Sequence, residues 1–187
     1  MEYALSVGLI YGALRQLKEG IGYVKDLNKE LTSIQIVTGF DDKTIGRLAN
    51  EYNDLAKAIG ATTLEVTSGS LEWFRQGKTI EEAAKLTQAS VMMSKLANME
   101  SAEATEYLTS IINGFKLESE DVIGVLDRLV AVDNDAATSV AELATAMQRS
   151  SNVAQQAGVS MEELVAYIGT VSSVTRRKAE TVGEAFK

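Results

Sequence analysis

The sequence predicts an all-α fold: an irregular multi-helix bundle of short helices preceded by one long heptad-patterned helix. Three observations predict it. The chain of 187 residues contains no Pro, where average usage would give roughly nine, so helix can follow helix without a kink. Apolar residues recur at three- and four-residue spacing along most of its length, the period of one helix face. Hydroxyl-x-x-Glu boxes precede several of these stripes, and such boxes mark helix starts. With only 6% aromatic residues, the core must be built from Ala, Val, Ile, Leu and Met, which suits helices packed at close range.

The first element is the long one. Val7, Ile10, Leu14, Leu17, Ile21, Val24 and Leu31 fall on a 3,4 spacing, with Asn28 at the one polar seam position. This is a heptad stripe, and it predicts a coiled-coil-like helix over 1–37 that self-associates through those seven residues. Leu27 and Ile34 widen the stripe near its end. Gly8, Gly12, Gly20 and Gly22 each weaken the helix by about 1 kcal/mol relative to Ala, so a packing partner must hold it. A compact multi-helical domain is expected over 38–187.

That second part opens with TGFDD at 38–42, a Gly stop followed by Asp41 and Asp42 as caps. Ile45, Leu48, Tyr52, Leu55 and Ile59 then share one face until Gly60. Thr62-x-x-Glu65, Thr79-x-x-Glu82 and Ser160-x-x-Glu163 are capping boxes, in which hydroxyl and carboxylate each bond a free backbone N–H. Ser101 and Ser119 are further N-cap candidates, each followed by early acids. Some of these starts are nearly evenly spaced, 39 residues from 62 to 101, 40 from 79 to 119 and 41 from 119 to 160. This is close to the period of helix-pair solenoids, but no side-chain signature repeats with it, so an irregular bundle is preferred. The segment 135–158, DAATSVAELATAMQRSSNVAQQAG, is rich in small residues that let backbones approach closely, and it is expected to form a buried central helix.

Composition narrows the chemistry. Without Cys or His the chain has no disulfide, no thiolate nucleophile, and none of the commonest general base and metal ligand. The net charge of −8 is concentrated in the middle. Residues 79–163 carry 5 basic and 14 acidic side chains, which would repel phosphates, so no specific nucleic acid is expected as a partner. Arg176, Arg177 and Lys178 form a short solvated cluster. The apolar run at 3–14 is twelve residues long, whereas a bilayer crossing needs about twenty.

Individual motifs have plain explanations. The neighbouring acids Glu81 and Glu82, Glu120 and Asp121, and Glu162 and Glu163 are expected in first helical turns, where the helix dipole favours them. Adjacent helical positions do not face each other, so they are not read as acid/base pairs. Asp133-Asn134-Asp135 begins like a calcium loop, but Ala137, Thr138 and Ala144 occupy positions where a ligand, Gly and Glu are required; the run is read as a loop and cap. Gly20-Ile21-Gly22 starts a dinucleotide fingerprint whose third Gly is replaced by Lys25. Trp73-Phe74 is read as bulk for a core rather than a stacking platform. No catalytic residue, metal site or cofactor is expected.

Order adds what motifs lack. YVKDLNKELTSIQIVTGF, then LANEYNDLAKAIGATTLEVTSGSLEWFRQGKTIEEA, SAEATEYL, and DAATSVAELATAMQRSSNVAQQAGVSMEELVAYIGTVSSVTRRKAETVGEAFK together resemble the core region of phage tail tape measure proteins. The likeness runs from about Tyr23 to Lys187 and is strongest in TSVAELATAMQRS, AGVSMEELVAYIGTVS and RRKAETVGEAFK. It implies a structural, non-enzymatic role in a fragment of a longer chain: setting tail length, scaffolding tube assembly and leaving during genome delivery. Implied partners are tail tube subunits, tail assembly chaperones and further copies of the chain, with transient contact to a host membrane. The implied location is the tail lumen of the virion, after a stage in the host cytoplasm. A membrane-active amphipathic helical protein is the alternative, with the 3–24 stripe lying in an interface.

Overall fold

Helix propensity and local caps account for most of the elements. A computed structural model describes the backbone of residues 2–187 and the side chains of 18–187. Among the described residues there are nine helices and no strand. They are α1 (Glu2–Thr38), α2 (Asp42–Ile59), α3 (Thr63–Arg75), α4 (Ile80–Ala97), α5 (Ser101–Phe115), α6 (Val122–Asp135), α7 (Val140–Gln156), α8 (Met161–Thr175) and α9 (Ala179–Ala185). The long N-terminal helix and the short helices after it match the architecture expected from the sequence.

Starts and stops follow local chemistry. Gly39, at φ +73°, ends α1. Asp41 caps α2, its carboxylate accepting from the Thr44 amide at 2.7 Å, and Gly60 closes that helix at φ +65°. The predicted boxes at Thr62/Glu65, Thr79/Glu82 and Ser160/Glu163 all close in both directions. A further box, Ser139/Glu142, starts α7.

Four expectations need correction. Ser101 is the first residue of α5 and its cap position is Glu100, because the Ser101 hydroxyl turns towards Ser94 Oγ at 3.4 Å. Ser119 does not start a helix. It is buried in the turn before α6 and donates to Glu82 Oε1 at 3.4 Å. Consequently Glu120 and Asp121 precede the first turn of α6, with Glu120 paired to Lys85 at 2.6 Å. Asp133, Asn134 and Asp135 are not a loop; they form the last turn of α6.

The chain divides into two compact units, Met1–Leu71 and Glu72–Lys187. In the first, α2 packs on α1. Leu48, Tyr52 and Ala56 are its buried residues, spaced four apart on one face. Tyr23 Oη accepts from the Leu64 amide at 3.2 Å, and Gln35 Nε2 donates to Asp42 Oδ1 at 2.7 Å. In the second unit α7 is the hub: α4, α5, α6, α8 and α9 all pack against it. This is the central helix expected of the small-residue segment.

Candidate functional site

Small side chains let α7 serve that many neighbours. Val140, Leu143, Ala144, Ala146, Met147, Ser150, Ser151 and Ala154 are all buried. A Cβ on Gly114 of α5 would sit 2.5 Å from Ser151 Cβ and 3.1 Å from the Asn152 nitrogen. A Cβ on Gly183 of α9 would sit 2.6 Å from the Ala146 carbonyl oxygen. The α6–α8 pair is built alike, with Gly169 against Val132. Real Cβ atoms do not come so near, so these contacts require Gly.

Hydroxyl groups inside this unit are satisfied mostly by their own helices. Ser150 donates to the Ala146 carbonyl at 2.8 Å and Ser151 to that of Met147 at 2.6 Å. Ser90 and Thr105 do the same four residues back. The buried hydroxyls therefore fill space without demanding a partner from the next helix. Polar contacts between helices lie towards the surface: Lys85 with Glu120, Arg128 with Glu162 at 2.6 Å, and Arg149 with Glu184 at 3.1 Å.

The neighbouring acids are drawn to separate partners. Glu162 pairs with Arg128, while Glu163 accepts from the Ser160 amide and hydroxyl, both at 2.9 Å. The bond from the Ser160 backbone, then that from its side chain, holds the Glu163 carboxyl below the usual range. Glu82 is lowered in the same way by Thr79, and Glu120 by its hydrogen bond from Lys85. A carboxyl serving as general acid needs the opposite shift; these act as caps and ion-pair partners. Among the described residues no group of three or more His, Cys, Asp or Glu side chains could hold a metal ion. Trp73 and Phe74 are buried, leaving no aromatic face for stacking.

The heptad seam is placed in part. Val7, Ile10, Leu14 and Leu17 lie outside the residues whose side chains are described. Ile21 and Val24 stand in the open, at 70% and 63% of full exposure. Leu31 and Leu27 are half-buried and Ile34 is fully buried. The stripe thus has an inward end near α2 and an uncovered stretch at Ile21 and Val24. Among the described residues no helix is long and apolar enough to cross a membrane.

Sequence reasoning overlooks two features. The Ser139/Glu142 box has the same spacing as the others, yet it lies within a run of Ala, Ser and Thr and does not stand out. The Gly contacts have no local signal, because their partners are set by how the helices meet.

A groove of about 490 Å³ lies between α6 and the start of α8, walled by Phe115, Leu117, Val125 and Met161, with Arg128 and Glu162 also lining it. Its lining is mixed, with Asp121, Gln155 and Ser160 adding polar groups to the apolar walls.

No solved structure matches the chain. The tape measure protein of Pneumococcus phage Dp-1 is 21% identical over 169 residues, covering 90% of this chain. The chain spans only 14% of that relative's length. The sequence profile of phage-related minor tail proteins matches residues 50–187, which takes in α7, α8, α9 and most of the other short helices. The chain therefore belongs to the family of phage-related minor tail proteins, structural components of phage tails.

Proposed function

We propose that the chain is a structural segment of a tape measure protein, and the observation that carries this reading is the alignment with the Dp-1 tape measure protein over 90% of its residues. In this role the protein sets tail length, scaffolds assembly of the tail tube and leaves during genome delivery. Its partners are tail tube subunits and tail assembly chaperones, and its place is the tail lumen, reached from the host cytoplasm.

The long helix supports a measuring role. A ruler needs length per residue, and the 37 residues of α1 extend about 55 Å at about 1.5 Å each. Removing about four heptads from α1 within the complete tail protein should shorten tails by about 42 Å, read by electron microscopy. Tails of unchanged length would overturn the measuring role.

Self-association through Val7, Ile10, Leu14, Leu17, Ile21, Val24 and Leu31 belongs to the same proposal. Exposed Ile21 and Val24 support it, since apolar residues repeating in heptads and left uncovered suit a second copy of the helix. Changing Leu14 and Leu17 to Glu would place charge in the seam and lower the oligomeric state. Equal sedimentation mass for mutant and parent would refute it.

A further inference from the structure

Residue 114 meets two demands that conflict. Where α5 crosses α7 it must lack a Cβ, since one would sit 2.5 Å from Ser151 Cβ and 3.1 Å from the Asn152 nitrogen. The residue before it is Asn113, and nowhere else in the chain does Gly follow Asn. In a chain free to turn, the side-chain carbonyl carbon of Asn lies within reach of the next backbone nitrogen. A following Gly has no Cβ to obstruct that approach and adopts backbone angles closed to other residues. The feature that lets the helices cross therefore leaves Asn113 open to ring closure.

In the folded unit the reacting atoms are kept apart. Asn113 lies in the last turn of α5 and is exposed, so water reaches it and burial is not its protection. Geometry is. A ring through the Asn113 side chain and the Gly114 nitrogen must be nearly planar, which requires a ψ far from the helical value of about −42°. The last turn of a helix holds such a position only weakly by itself, and α5 stops at Phe115, with Lys116 following at φ +56°. Gly114 is nevertheless buried, wedged against α7 at Ser151 and Asn152. Contact with α7 thus keeps residue 113 in its unreactive geometry.

We propose that Asn113 is a deamidation site masked by the α5–α7 crossing, and that its conversion stops the crossing from re-forming. When α5 lifts from α7, the Gly114 nitrogen gives its proton to base and attacks Asn113 Cγ. The N–Cγ bond forms, the Cγ–Nδ2 bond breaks, and Nδ2 takes a proton from water and leaves as ammonia. A second water opens the cyclic imide. Breaking the N–Cγ bond leaves aspartate at position 113; breaking the bond to the main-chain carbonyl leaves isoaspartate, whose backbone runs through Cβ and Cγ. Water is the co-reactant, and nothing is oxidised or reduced.

Both products disturb the contact. Each adds a carboxylate in the last turn of α5, where the helix dipole disfavours negative charge. The isoaspartyl backbone is also longer by a methylene, which shifts Gly114 along α5. A crossing with no room for a Cβ does not absorb that shift, because packed interiors feel a single methylene. Brief openings of α5 therefore close unharmed, whereas prolonged ones become permanent.

The test ages the whole 187-residue chain at mildly alkaline pH, folded and in guanidinium chloride, and maps conversion by peptide mass spectrometry. In denaturant Asn113 should convert ahead of every other Asn. In the folded chain its conversion should be on the order of 100-fold slower, since it follows the population of the open form. Chains carrying isoaspartate, returned to native buffer, should exchange the Ile111 and Ile112 amides on the order of tenfold faster than unconverted chains. Asn113→Gln, whose extra methylene disfavours the ring, should pass through the same ageing with the parental exchange pattern. Equal conversion with and without denaturant would overturn the masking, and an Asn113 that stays intact in denaturant would overturn the site. Parental exchange at Ile111 and Ile112 in the isoaspartyl chains would overturn the block on re-forming.

Discussion

The longest helix, α1, and the central one, α7, solve opposite problems. α1 carries large apolar residues, and several of them, Ile21, Val24 and Ile36 among them, face solvent. α7 carries mainly Ala, Ser, Thr and Gln, yet its inward positions are almost completely buried. Burial here follows the number of neighbours a helix has and not its own hydrophobicity. Five helices reach α7 because small side chains leave room for them; bulkier ones would increase the gain per contact and reduce the number of contacts. The exposed residues of α1 leave that gain unrealised in the structure.

Substitutions should separate the two helices clearly. The largest difference is expected for Leu143→Ala in α7, where a fully buried side chain gives a loss of about 2–5 kcal/mol. Ile21→Ala in α1 should alter the stability of the isolated chain by less than about 0.5 kcal/mol. Urea unfolding followed by helical circular dichroism measures both, and a cost at Ile21 equal to that at Leu143 would break the contrast.

Tyr52, buried on α2, comes next. Burial, the largest influence, pushes its phenol up to about 12, with the Ser70 hydroxyl acting the other way and the nearby Glu51 charge raising it further. Because the folded value is raised, the contribution is fully present below the ordinary value of 10 and is lost as pH rises through about 12. The loss amounts to at most about 3 kcal/mol. Tyr52→Phe has no such group, so its stability should fall less between those limits than that of the parent; parallel pH curves would sink the assignment.

Glycines give the third comparison. Gly114→Ala forces a Cβ towards Ser151 and the α7 backbone, at a cost of about 1–3 kcal/mol that outweighs the roughly 1 kcal/mol gained in helix propensity. Gly22→Ala in α1 meets nothing within 4 Å and should stabilise by about 0.5–1 kcal/mol. Opposite signs in thermal melting are the expected result.

The smallest effect concerns a cap. Ser160→Ala should cost about 1 kcal/mol and return the Glu163 carboxyl towards its ordinary range, since the Ser160 bonds lower it. The stability tied to this lowered carboxyl is present above the ordinary value of 4.5 and is lost as pH falls through the folded value. Carboxyl titration by NMR would show no change if the cap were unimportant.

Most helix starts can be read from sequence because a capping box spans four residues and needs nothing from elsewhere. Ser101 and Ser119 cannot, since their hydroxyls are turned by Ser94 and Glu82, which belong to the preceding helix α4 and not to the four-residue box. The run at 133–135 misleads for a related reason: three polar residues at a helix end look like a loop unless the helix is known to continue. The hub role of α7 is legible in its composition. Gly114, Gly169 and Gly183 are not legible as contacts, because Ser151, Val132 and Ala146 become their neighbours only once the helices cross. Glu162 and Glu163 are legible as first-turn acids of α8, whereas Glu120 lies before α6 and pairs with Lys85.

The closed boxes at Thr62, Thr79, Ser139 and Ser160 also bear on time. Each joins residues only three apart, so it can form before any distant contact, within the roughly 0.1–1 μs of helix–coil relaxation. With no Pro in the chain, no prolyl isomerisation lasting about 10–100 s delays the packing of one helix on another. A segment made this way can lose its fold and regain it without a slow covalent step.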